Sequence, residues 1–143
     1  MFLVFVKFKN NLIFLDRDSF PRLQKLNLSR NNFRSFSNFC VFSNLEFLDL
    51  SFNKISQFKD CQNNLLEFSS LRLLVLDHNR IRNFKGFPKA PELEHIFFRG
   101  NRSKHFNFSL RFWGPYWSCS FKSKNSRTSS IIKYNDVKIY LYF

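Results

Sequence analysis

Between Leu45 and Phe58 the chain reads LEFLDLSFNKISQF, with apolar side chains at Leu45, Leu48, Leu50, Ile55 and Phe58 and an amide at Asn53. The same order returns at Leu23, Leu26, Leu28, Asn31, Phe33 and Phe36, and again at Leu71, Leu74, Leu76, Asn79, Ile81 and Phe84. A weaker copy follows at Leu93, Ile96, Phe98, Asn101 and Phe106, and a poorer one opens the chain at Leu3, Val6, Phe8, Asn11 and Ile13. Self-similarity at a fixed period marks a stacked array in which each unit buries its apolar face on its neighbours. Leu23 to Leu45 and Leu71 to Leu93 are both steps of 22 residues, whereas Leu45 to Leu71 is a step of 26, so a small loop or an extra helical turn is expected around Asp60 to Asn64.

In every copy the x-Leu-x-Leu alternation predicts a short strand whose leucines share one face. Stacked strands then form a parallel sheet with one apolar side. The second half of each copy keeps an apolar residue at every third position, as at Phe33, Phe36, Phe39 and Phe42, which suits a short helical or 3-10 segment covering that side. The asparagines at 11, 31, 53, 79 and 101 fall where the strand ends. An amide both donates and accepts, so Asn11, Asn31, Asn53, Asn79 and Asn101 are expected to tie the backbone of successive turns together. Turn formation alone is the simpler role for Asn, but five such residues in register favour the ladder.

The spacing L-x-x-L-x-L-x-x-N-x-I-x-x-F resembles the intracellular class of leucine-rich repeats, typified by the regulatory subunit of protein phosphatase-1 and the spliceosomal A-prime protein. The G-x-I-P signature of plant receptor repeats is absent. Residues 84–101, FKGFPKAPELEHIFFRGN, are similar to the last repeat of a group that includes plant microtubule-associated repeat proteins, with Arg102 standing where that group has proline. The resemblance implies an α/β solenoid: a horseshoe fragment of about five repeats with a parallel concave sheet and a short helical or 3-10 back face. It spans residues 3–106 and implies a non-catalytic module that binds a protein partner.

At 143 residues the chain is expected to form one domain. Beyond the array, residues 107–117 place Phe112, Trp113, Tyr116 and Trp117 around Gly114-Pro115, an aromatic group suited to closing the end of the core. Residues 118–143 read as a basic, Ser- and Lys-rich tail, partly disordered, whose final stretch VKIYLYF alternates as a strand or an aggregation-prone tail would. Leu3 lies almost at Met1, with no cap before the first copy, so the expectation is either a truncated longer array, the favoured reading, or a first repeat that serves as an imperfect cap.

Composition adds three constraints. Phenylalanine occurs 22 times and often occupies positions that accept leucine, so it is read as filling the core rather than building a dedicated aromatic site. A formal charge of +13 favours acidic partners: nucleic acid, anionic lipid or acidic protein tails. Cys40, Cys61 and Cys119 are odd in number and lack metal-ligand spacing, so neither a disulfide frame nor a metal is indicated, and Cys61 reads as a small buried hydrophobe. Missing paired caps point to a reducing compartment. With no signal peptide or membrane span discerned, the expected location is cytoplasmic or nuclear. The sequons at Asn27, Asn101 and Asn107 are discounted as chance matches.

Recognition is expected on the side chains that the core does not use. In register these are Lys25, Phe47, Leu73 and His95, then Asn27, Asp49, Val75 and Phe97, then Ser29, Ser51, Asp77 and Arg99. The apolar group Phe47, Leu73, Val75 and Phe97, with His95 and with Phe52 nearby, forms the candidate partner site. A second candidate is a basic stripe at the turns: Arg34, Lys54, Arg80, Arg82, Arg102 and Lys104. It suits an acidic surface and the alternative function of an electrostatic binder of an acidic polymer, microtubule tails or RNA, although no R-G-G run, stacking motif or known nucleic-acid module supports nucleic acid specifically. His78, His95 and His105 are isolated and no phosphate loop or H-E-x-x-H occurs, so no catalytic residue, cofactor or metal is expected.

Overall fold

The computed structural model describes residues 5–7, 21–36, 42–58, 68–84, 86–102, 105–109, 118–122, 129–134 and 137–142. Five three-residue strands follow the repeat: β1 (Phe5–Lys7), β2 (Lys25–Asn27), β3 (Phe47–Asp49), β4 (Leu73–Val75) and β5 (His95–Phe97). Successive members pair in parallel, so Val6, Leu26, Leu48, Leu74 and Ile96 fall in one column. In β2 to β5 the central residue is buried and its two neighbours are half-buried. That is the pleat acting on an x-Leu-x sequence. The remainder of the first copy, including Asn11, lies outside the described residues.

The chain approaches β3, β4 and β5 through the same turn. Leu45 N–H donates to Phe42 C=O at 3.3 Å, Leu71 to Phe68 at 3.4 Å and Leu93 to Ala90 at 3.2 Å. Serine or proline fills the second position of these turns, at Ser43, Ser69 and Pro91. Proline suits that position because its ring presets φ. The strand then starts with a shared acceptor: Gln24 C=O takes the N–H groups of Glu46 and Phe47, and Glu46 C=O takes those of Arg72 and Leu73.

The core lies between the leucine face of the sheet and the returning back face. Leu26, Leu48, Leu74 and Ile96 are fully buried, and so are Leu28, Leu50 and Leu76. Across from them runs a phenylalanine cluster. Phe58 meets Phe36 at 5.1 Å, Phe84 at 5.3 Å and Phe87 at 5.1 Å between ring centroids, and Phe36 meets Phe68 at 5.7 Å. Three of these pairs are edge-to-face and the Phe58–Phe84 pair is stacked, and such pairs fill space as leucine does and add a quadrupolar attraction.

Among the described residues the back face has no helical or 3-10 segment. It is irregular, with a bend at Phe36 and a parallel bridge between Ser35 and Gln57. Residues 37–41, where the three-step spacing predicts such a segment, and residues 59–67, where a small loop or an extra helical turn is expected, lie outside the described residues. The physical reason for the irregular course is local. Ser35, Ser56, Gly86 and Pro88 separate the phenylalanines, and serine, glycine and proline favour helix poorly. The large rings reach the sheet without a helix to carry them.

Past β5 the chain forms β6 (His105–Ser109), β7 (Ser118–Lys122), β8 (Ser129–Tyr134) and β9 (Val137–Tyr142). β6 and β7 pair as a separate antiparallel ribbon. β9 joins β5 in parallel with Ile139 opposite Ile96, and β8 pairs with β9 antiparallel, giving the sheet order β1-β2-β3-β4-β5-β9-β8. The stretch read as a partly disordered tail thus contributes strands that continue the repeat sheet. The aromatic group proposed as a cap, Phe112 to Trp117, lies outside the described residues.

Candidate interaction surfaces

The asparagine column determines where the turns sit. Asn53 Nδ2 donates to Leu28 C=O in the preceding repeat at 2.9 Å and to Leu50 C=O in its own at 3.0 Å, while its Oδ1 accepts Phe33 N–H at 3.0 Å. Asn79 repeats the scheme with Leu50, Leu76 and Ile55, and Asn101 with Leu76, Phe98 and Ile81. Asn31 donates to Leu28 and Ser29. Asn31, Asn53 and Asn79 are buried. Asn53, Asn79 and Asn101 therefore each span two repeats, satisfying buried backbone groups that the short strands leave over.

On the sheet face away from the core, parallel pairing aligns Phe47, Leu73 and His95 in one column and Asp49, Val75 and Phe97 in the next. All six are half-buried. Asn27 and Asp49 are used locally: Ser29 N–H donates to Asn27 Oδ1 at 2.9 Å and Ser51 N–H to Asp49 Oδ1 at 2.8 Å. Asp77 instead reaches the next repeat and accepts Arg99 N–H at 2.6 Å. Burial pushes the Asp77 carboxyl above its ordinary range, and the Arg99 amide and the charges of His78 and Arg99 draw it partly back.

Phe52 belongs to another surface. It sits one residue before Asn53 with φ 55°, and Arg30 (59°), His78 (54°) and Gly100 (66°) hold the equivalent left-handed corner before their own asparagines. The backbone is pinned there, since Arg30 N–H donates to Ser51 C=O and Phe52 N–H to Asp77 C=O. Side chains from successive corners consequently stack. The Phe52 ring lies 4.4 Å from the His78 ring at an interplanar angle of 17°, and the Arg30 guanidinium lies 4.6 Å from its centroid. A Cβ on Gly100 would come within 2.5 Å of His78 Nδ1, so glycine gives that imidazole its space.

This column borders a shallow groove that Lys54, Arg80 and Arg102 also line. Those three residues follow their asparagines directly, and each N–H donates to the preceding repeat: Lys54 to Phe33, Arg80 to Ile55 and Arg102 to Ile81. Of the other basic-stripe residues, Arg34 and Arg82 are exposed and do not line the groove, and Lys104 lies outside the described residues. Sequence reasoning missed Arg30, His78 and Gly100 as a unit. Their shared place immediately before the asparagine was the available signal.

Residues 21–63, spanning the copies that begin at Leu23 and Leu45, match the family model described as Leucine Rich repeats (2 copies). No curated protein and no solved structure matches the chain. Together with the open parallel sheet, the match fits a solenoid-like leucine-rich repeat fragment. Among the described residues no group of His, Cys, Asp or Glu could hold a metal ion, and no helix is long and apolar enough to cross a membrane.

Proposed function

We propose that the chain is a non-catalytic protein-interaction module, a leucine-rich repeat scaffold or regulatory subunit, that binds a protein partner on the concave face of its sheet. The observation that carries this reading is the in-register row of half-buried apolar side chains Phe47, Leu73, Val75 and Phe97 on the face opposite the core. Aromatic and aliphatic groups held on rigid strands lose little entropy on docking, which suits them as anchors. The repeat spacing supports the intracellular class, and unpaired cysteine usage supports a cytoplasmic or nuclear setting.

The test is affinity capture from the source cell with the wild-type chain and with the double variant Phe47→Ser, Phe97→Ser, read by mass spectrometry at low and high salt. The variant is expected to lose the partner while its circular dichroism spectrum is unchanged. Capture of the same partner in undiminished amount by the folded variant removes this reading.

A further inference from the structure

The groove at the turn edge is a second, separate surface. Its charged lining residues, Arg30, Lys54, Arg80 and Arg102, are all cationic, and among the described residues no carboxylate lines it. Lys54, Arg80 and Arg102 begin from backbone fixed at successive turns, roughly 4.8 Å apart in the direction of strand pairing. Like charges anchored on neighbouring turns repel one another. An anionic partner relieves that repulsion.

We propose that this groove binds an acidic peptide segment, with side-chain carboxylates seated along Lys54, Arg80 and Arg102 and against Arg30. The stacked column separates a peptide from single-stranded nucleic acid. Nonspecific binding of single strands relies on free aromatic faces to receive bases. Here Arg30 from the preceding repeat and His78 from the following one already pack against the ring of Phe52, which keeps 44% of its surface exposed, and His78 in turn lies against Gly100. The column offers guanidinium N–H groups and ring edges, which suit carboxylates.

The test is fluorescence anisotropy of a labelled oligo-glutamate peptide, an oligo-glutamine peptide and an oligouridine RNA of equal length, at about 50 and about 300 mM salt, so that screening changes strongly. Oligo-glutamate is expected to bind more tightly than either competitor and to weaken with salt. Arg80→Glu with Arg102→Glu should weaken it by about tenfold or more, since attraction becomes repulsion at two adjacent points. Arg22→Glu with Lys89→Glu changes net charge equally at exposed positions away from the groove, and should weaken it less than about twofold. Phe47→Ser should leave it unchanged, which separates this groove from the sheet face. If the charge-reversed groove variant loses its fold by circular dichroism, Arg80→Gln with Arg102→Gln replaces it and is expected to weaken binding in the same direction. Tighter binding of RNA, equal weakening by the distant reversal, or no effect of the groove substitutions overturns the proposal.

Discussion

Replacing Asn79 by alanine tests how the repeats are held to one another. Asn79 is buried, its Nδ2 donates to Leu50 C=O at 2.9 Å and Leu76 C=O at 3.1 Å, and its Oδ1 accepts Ile55 N–H at 3.0 Å. The two carbonyls keep a second donor after truncation, because Asn53 also bonds Leu50 and Asn101 also bonds Leu76. Ile55 N–H loses its acceptor. An orphaned buried donor costs about 1–3 kcal/mol, and the lost carbonyl bonds and the small void bring the expected total to about 2–4 kcal/mol.

Urea unfolding followed by far-ultraviolet circular dichroism measures this as a lower midpoint at constant slope. Asn101→Ala supplies the internal scale. Asn101 is less buried and two of its bonds stretch to 3.4 Å, so it should cost about 1 kcal/mol. Asn79→Asp keeps the acceptor for Ile55 but turns an oxygen toward carbonyl groups, and should cost more than alanine at neutral pH. A loss below about 0.5 kcal/mol for Asn79→Ala, or a milder effect than Asn101→Ala, refutes the reasoning, since that is the range of an ordinary surface change.

Two further outcomes follow from the core and from Asp77. Phe58→Ala removes a fully buried ring from contact with Phe36, Phe84 and Phe87, and should cost about 3–5 kcal/mol, seen as a lower thermal midpoint. Burial raises the Asp77 carboxyl in the folded state, so its favourable contribution is present below the unfolded value and is lost as pH rises through the folded one. Asp77→Asn should therefore match wild type in acid and gain stability over it as pH rises toward neutral, in urea titrations at matched pH. A gap that narrows with rising pH contradicts the assignment.

The extent to which this protein can be read from its sequence follows from what periodicity encodes. The alternation around Leu26, Leu48, Leu74 and Ile96 specifies which face each side chain takes, because a shift of one residue would turn the leucines outward. The recurrence of asparagine at one phase marks the turn. Neither pattern tells how neighbouring corners touch. Phe52 reads as part of the sheet-face group with Phe47, yet its left-handed backbone places it between Arg30 and His78 at the turn edge.

By itself, then, the sequence determined a stacked array, its parallel strands, its leucine core and the column of asparagines, since each is a repeated local preference that every copy restates. Only the tertiary structure decided the irregular course of the described back face and the Arg30, Phe52, His78 and Gly100 stack beside Lys54, Arg80 and Arg102. Both depend on the close approach of one repeat to the next, where ring size, a positive φ and the space left by a missing Cβ act together. None of those is a property of a single copy.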